Sequence, residues 1–289
     1  MAKHKKIKDM KITLTLFTFL FSTLLMAQNS KLPIIDMHLH AGEDDSLRQR
    51  VVTLMDEFNI VTAFLSDQPD DVFEWVDAVH GRFIASPMVY DPADADLVRL
   101  RREYEAGRFG GMGEIASQYS GIAADDPVLE PIFALAEEFD VPVLIHLHGG
   151  GAPAADFRIA IGRPTRLEEV LVRHPTLRIY LEKSGFPFLA ETIALMYRYP
   201  NVYGDLSWHN RPREIWEWYL RRLLDAGLGK RLMFGSDATP SRPQLISQNV
   251  EAINSAEFLS DEQKRDIFYN NAARFLRLSD EEIAKHHKN

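Results

Sequence analysis

Cysteine is absent from the 289 residues. That excludes a disulfide framework, thiolate catalysis, thiolate metal ligands and lipid anchoring through sulfur. It fits an oxidising compartment without requiring one. Basic charge is also in short supply: 33 Lys and Arg stand against 42 Asp and Glu, a formal charge of −9. So acidic a chain lacks the basic face that phosphates need, which excludes nucleic acid as an expected partner. Familiar glycine signatures are missing as well. No Gly-x-Gly-x-x-Gly follows the first apolar strand, which argues against a dinucleotide fold. No Gly-x-Ser-x-Gly elbow accompanies His148-Gly149-Gly150-Gly151, so that stretch is not read as a lipase oxyanion loop. Gly227-Leu228-Gly229-Lys230 lacks the spacing of a phosphate-binding loop. Internal repeats and low-complexity tracts are not found beyond the leader.

Long apolar runs are limited to one, the 15 residues Ile12–Met26. A membrane span needs about 20. Lys3, Lys5, Lys6, Lys8 and Lys11 precede the run and Ala27 follows it, the layout of a cleaved signal peptide over residues 1–27. An uncleaved anchor is the alternative. The expectation is export to the periplasm or beyond the cell, with no stable membrane span in residues 28–289. Losing five Lys and one Asp with the leader takes the formal charge from −9 to −13.

What is present, from about Lys31 onward, is alternation of apolar runs with amphipathic segments. Strands are predicted at Ile34–His38, Ile60–Leu65, Phe83–Tyr90, Phe109–Ile115, Pro142–Leu147, Leu177–Leu181, Asn201–Leu206 and Arg231–Phe234. Helical spacing fills the intervals, as in Leu47, Val51, Leu54, Met55 and Phe58. Eight strand–helix units predict a single-domain α/β fold, a (β/α)8 TIM barrel, with a doubly wound open sheet as the structural alternative.

Barrel strands converge at their C-terminal ends. Those ends carry His38 and His40, Glu114, His146 and His148, Glu182 and Lys183, His209, and Asp237. Alternation along a strand points His38 and His40 the same way, about 7 Å apart. Imidazoles and carboxylates gathered in one mouth are the donor set of a divalent cation such as Zn²⁺ or Mn²⁺. Blander roles remain for each. Glu114 serves equally as the partner of an arginine. His148 reads as a substrate contact or a satisfied loop residue, His209 as a lid residue, and Asp237 as a helix cap. Arg158, Arg163, Arg211 and Arg242 fall in mouth-side loops and point weakly to an anionic substrate. His174, before Pro175, reads as a helix-end residue.

The ordered set Ile35-Asp36-Met37-His38-Leu39-His40, Val141–His146, His174–Ile179, Arg231–Asp237 and Asn270–Leu276 resembles the amidohydrolase superfamily, in its amidohydrolase-related (family 2) branch. The resemblance covers about residues 33–278. It implies a metal on His38, His40, His146 and Asp237, with Asp237 also taking a proton from the metal-bound water. Gly113-Glu114-Ile115 is similar to the segment whose Glu bridges two metals in TatD-like members. One departure stands out: where the family has a sixth-strand His, this chain reads Leu181-Glu182-Lys183-Ser184-Gly185. Lys183 takes the histidine's place, either as a point charge for a developing oxyanion or, carbamylated, as a ligand. Simple alternation then turns Glu182 away from the mouth.

The expected function is an exported, metal-dependent hydrolase of a C–N amide or a C–O ester or lactone bond in a small-molecule substrate. It would use one or two divalent ions, Zn²⁺ first among them, with His148, His209 and Arg158 as substrate contacts. A metal-dependent decarboxylase of the same branch and a non-catalytic barrel with a decayed site are the alternatives. Self-association is left open.

Overall fold

The computed structural model of the chain describes residues 32–42, 44–150, 154–208 and 212–288. The leader and His209 therefore lie outside the described residues. Eight parallel strands follow one another: β1 Ile34–His40, β2 Ile60–Asp67, β3 Phe83–Pro87, β4 Met112–Ile115, β5 Val143–Ile145, β6 Ile179–Leu181, β7 Val202–Asp205 and β8 Leu232–Met233. They pair in sequence order as β1-β2-β3 and as β4-β5-β6-β7-β8. Two parallel bridges close the ring, Val89 with Ile115 and Leu39 with Ala238. Backbone hydrogen bonds support both seams: Val89 N to Glu114 O at 2.9 Å, and Asp237 N to His38 O at 2.7 Å. The result is a TIM barrel.

Local chemistry sets the element ends. The first helix, α1 (Asp45–Glu57), starts where Asp44 accepts from the backbone N–H groups of Ser46 and Leu47. Ser260 and Gln263 form a capping box at the start of Asp261–Arg265. Strand β4 is shorter than Phe109–Ile115 predicts. The N–H groups of Gly110 and Gly111 both turn onto Ala85 O, outside the regular ladder. Gly111 must be glycine, since a Cβ there would lie 2.2 Å from the Phe64 ring.

Alternation divides the strand residues between two layers. Val143, Ile145, Ile179, Leu181, Leu232 and Phe234 face the surrounding helices. Leu144, Tyr180 and Met233 face inward, joining Met37, Phe64 and Phe275 in a separate apolar cluster. Phe64 and Tyr180, on β2 and β6, meet edge to face at 5.6 Å across the interior. This plug fixes which residues stand above it at the mouth.

Candidate active site

Counting in steps of two from the inner layer gives the site. Above Leu144 come His146 and His148, above Tyr180 comes Glu182, above Tyr203 comes Asp205, and above Met233 comes Asp237. Each of these five is buried. Strand β1 reaches the same place less regularly, because its register against β2 slips between Asp36 and Leu39. His38 and His40 still converge, with ring centroids 5.1 Å apart and their Nε2 atoms 3.2 Å apart.

His38 is oriented by Asp205, whose Oδ2 lies 3.1 Å from His38 Nδ1. The other oxygen of Asp205 accepts from Lys183 N at 3.0 Å and Ser207 N at 2.8 Å. A carboxylate so supplied with donors is acceptor-only, so His38 carries its proton on Nδ1 and, when neutral, presents a bare lone pair at Nε2. That lone pair faces the Nε2 of His40, Glu114 Oε2 at 3.3 Å and Asp237 Oδ1 at 3.7 Å. His40 Nε2 lies 3.5 Å from both carboxylates. Nitrogen and oxygen lone pairs crowded together in a buried site repel one another, and a proton or a cation relieves this. His38, His40 and Asp237 could hold a metal ion in this arrangement.

Glu114 stands between two groups. Its Oε2 faces His38 and His40, while its Oε1 lies 2.7 Å from His146 Nδ1. Its backbone is placed by Gly113, whose φ of +106° suits glycine alone and whose added Cβ would lie 2.2 Å from Leu144 O. The neighbourhood that includes His146, His148 and Glu182 could also hold an ion. His146, expected to share one ion with His38, His40 and Asp237, meets the other oxygen of Glu114 from the one that faces His38 and His40.

Lys183 enters the same cluster. Its Nζ donates to Asp237 Oδ2 at 2.8 Å and to Glu182 Oε1. The expectation that Glu182 faces away is overturned. Glu182 follows the inward phase of Tyr180, and Lys183 is brought in by a break in alternation: Lys183 and Ser184 adopt left-handed φ values of 49° and 48°. Asp237 is left-handed too, at φ 51°. Non-glycine residues at such φ are uncommon, and they cluster at functional sites.

Burial opposes charge on both rings and amine, but the carboxylates outweigh it. Asp237, Asp205 and Glu114 hold His38 well above the ordinary imidazole range. Asp237 and Glu182 likewise keep the Lys183 ammonium charged. Burial wins at His148 and pushes it down to about 4, a neutral ring. His148 Nδ1 accepts from Gly150 N at 3.0 Å, so the neutral ring carries its proton on Nε2, which lies 3.3 Å from Glu182 Oε1.

Arg158 is not brought to the cluster. It is exposed, and its guanidinium donates to the carbonyls of Ala155 and Phe157 at 2.8 and 2.9 Å. Arg163 pairs with Glu191 instead. Sequence reasoning missed Asp205 as a site residue and Glu182 as an inward one. The signal for both was the inner-layer phase set by Tyr180 and Tyr203.

Fold and site together define a TIM-barrel protein with a cation-binding type of mouth. The family model described as Amidohydrolase, the second of its kind, matches residues 35–278, and the chain belongs to this amidohydrolase-2 family. Solved structures agree on the fold. An uncharacterized TIM-barrel protein from Bordetella bronchiseptica aligns with a TM-score of 0.65 and 17% identity, over 85% of this chain and 99% of that one. A probable 2-pyrone-4,6-dicarboxylic acid hydrolase from Acinetobacter baumannii, with citric acid bound, gives 0.63 and 13%, over 86% and 100%. A dihydroxybenzoic acid decarboxylase from Polaromonas sp., with bound manganese and the inhibitor 2-nitroresorcinol, gives 0.62 and 15%, over 86% and 97%. No curated protein matches significantly. Among the described residues, no helix is long and apolar enough to cross a membrane.

Proposed function

We propose that the chain is a metal-dependent hydrolase of a C–N amide or a C–O ester or lactone bond. The observation that carries this reading is the meeting of the His38 and His40 Nε2 atoms with Glu114 Oε2 and Asp237 Oδ1 in a buried mouth. These four groups would hold the cation. When bound, a Zn²⁺- or Mn²⁺-type ion lowers the pKa of water and polarises a carbonyl oxygen. Asp205 keeps the proton on His38 Nδ1 and so keeps Nε2 available. Asp237 Oδ1 accepts the proton of the attacking water and returns it to the leaving group, while its Oδ2 stays fixed on Lys183. Lys183 has three donors, two of them engaged by Glu182 and Asp237, and the third serves charge developing on the substrate oxygen. The leader over residues 1–27 supports export as part of this reading.

A second reading is favoured by one specific feature. Tyr119 lies 4.7 Å from the His146 ring and 5.4 Å from Phe157, an aromatic wall beside the mouth. Such a wall suits a planar, unsaturated substrate, and so also suits decarboxylation of an aromatic acid. Turnover in ¹⁸O-labelled water separates the two. The hydrolase incorporates one solvent oxygen into a product, and activity disappears with a chelator and returns with added ion. Release of CO₂ with no solvent oxygen in the product would replace the hydrolase with the decarboxylase.

A further inference from the structure

We propose that Asn249, buried in the helix Leu245–Asn254, is a positioning residue: its side-chain amide clamps the peptide that precedes Asp237 to the loop that follows β7, and so holds the Asp237 carboxylate against His38 and His40. The inference rests on the hydrolase reading for the role of Asp237, but the placement of that carboxylate can be read without a metal.

The geometry begins with the backbone of Asp237, left-handed at φ 51°. A non-glycine residue stays there only where its surroundings over-determine it. Most of the restraint comes from β1. Ser236 N donates to Asp36 Oδ1 at 2.9 Å, and the Ser236 hydroxyl donates to His38 O at 3.1 Å. Asp237 N donates to His38 O at 2.7 Å, and Ala238 O accepts from His40 N at 2.9 Å. The peptide unit joining Ser236 to Asp237 is planar, so its orientation helps to set φ of Asp237. Its N–H is the one held by His38 O. Its C=O, on Ser236, accepts from Asn249 Nδ2 at 3.1 Å. With the N–H pinned by the barrel and the C=O pinned by the outer helix, the peptide has one orientation.

The amide of Asn249 is itself fixed. Nδ2 also donates to Leu245 O at 2.9 Å, and Oδ1 accepts from Trp208 N at 2.8 Å. Two N–H groups meet two carbonyls, and the oxygen meets a donor. Turning the amide over would set oxygen against two carbonyls and NH₂ against an N–H, so the network allows one orientation. Asparagine is a weak helix former, and helical propensity does not account for it in the middle of Leu245–Asn254. The clamp also reaches sideways. The Trp208 ring meets Phe186 edge to face at 5.3 Å, and Phe186 follows the left-handed Lys183 and Ser184. Asn249 thus joins the segments after β6, β7 and β8 behind the mouth.

The test compares the full chain with Asn249→Ala and Asn249→Asp, each crystallised metal-free and each loaded with Co²⁺ in solution. Both substitutions remove the amide donors. The wild-type crystal should show Asp237 left-handed, with Oδ1 near the 3.7 Å from His38 Nε2 found here. In the variants the freed peptide should turn and move the carboxylate by about 1 Å. The visible Co²⁺ spectrum, which reports the ligand geometry, should shift. Turnover should fall about 10²-fold in kcat with KM little changed. A wild-type crystal with the Asn249 amide turned away from Ser236 would overturn the clamp without any variant. So would folded variants that melt at lower temperature but keep the wild-type Asp237 placement, spectrum and kcat, as a merely structural asparagine requires. Failure of the wild type to bind Co²⁺, Zn²⁺ or Mn²⁺ would instead remove the hydrolase reading, and the metal-free crystals would still decide whether Asn249 places Asp237.

Discussion

Two histidine environments at opposite ends of the barrel, one below β6 and one above β5, differ in one respect. At the lower end, before the strand, His174 is satisfied at both ring nitrogens: Nδ1 meets Glu137 at 2.7 Å and Nε2 meets Glu130 at 2.9 Å. At the upper end, His146 has an Nε2 with no hydrogen-bond partner among the described residues and an Nδ1 pressed between two carboxylates. His38 likewise presents Nε2 to another ring nitrogen and two carboxylates. A histidine with one carboxylate for each ring nitrogen can donate to both when the ring carries two N–H groups, and it then works as a structural clasp. A histidine surrounded by competing acceptors is waiting for a charge. Both kinds are buried and both have glutamates nearby, so burial and composition alone do not distinguish them. Hydrogen-bond satisfaction does.

The strongest way to break the contrast is Asp237→Asn. The amide keeps the shape and the left-handed backbone, since Asn tolerates positive φ well. It no longer accepts the proton of the attacking water. Turnover should fall about 10²–10⁴-fold, the usual share of a general base. Circular dichroism and thermal melting should stay near wild type. A variant with undiminished kcat would take Asp237 out of the chemistry and leave it a helix-cap-like residue.

A smaller effect is expected one step out, at Asp205→Asn. Its Oδ2 is the acceptor that fixes the proton on His38 Nδ1. An amide rotated to present its NH₂ there would favour the other tautomer and put the proton on Nε2. Affinity for Mn²⁺ or Zn²⁺, measured by competition with a chelator, should drop about 10–100-fold. An unchanged affinity would mean that the bulged end of β1 positions His38 without help.

Much of this was legible in the sequence. The alternation of apolar runs with amphipathic segments gave the barrel, and the strand ends gave His38, His40, Glu114, His146, Lys183 and Asp237 as neighbours. His174 was legible as a helix-end residue, and it does cap the short helix Glu168–Arg173. What resisted was phase. Glu182 and Lys183 are adjacent, and period-two alternation allows only one of them inside. The break lies in two left-handed residues, and neither is glycine, asparagine or aspartate, so no local residue type announced it. Asp205 was hidden for another reason: nothing in Val202-Tyr203-Gly204-Asp205 says which of Tyr203 and Gly204 faces inward until the apolar plug is known. Arg158 stood in a mouth-side loop by position, but the carbonyls of its own loop captured its guanidinium. Long polar side chains on loops are poorly placed by sequence because several acceptors lie within their reach.

The least disruptive test works at the lower end, with Glu137→Gln. Burial opposes ionisation of Glu137, but His174 and Thr176 outweigh it and lower its pKa below the ordinary 4.5. A carboxyl depressed in the folded state adds stability at pH values above its unfolded pKa. That contribution is lost as pH falls through the folded value. The wild type should therefore exceed Glu137→Gln in stability by under about 1 kcal/mol near neutrality, as for other partly exposed pairs. The gap should close below about pH 4.5, the ordinary glutamate value. Denaturant melts at a series of pH values would show this. Cation stoichiometry and turnover near neutrality should not move, because His174 and its two glutamates sit at the far end of the strand from Glu182. If Glu137→Gln instead lowered cation binding, the two ends of the barrel would be coupled, and satisfaction at one histidine could no longer be separated from strain at the other.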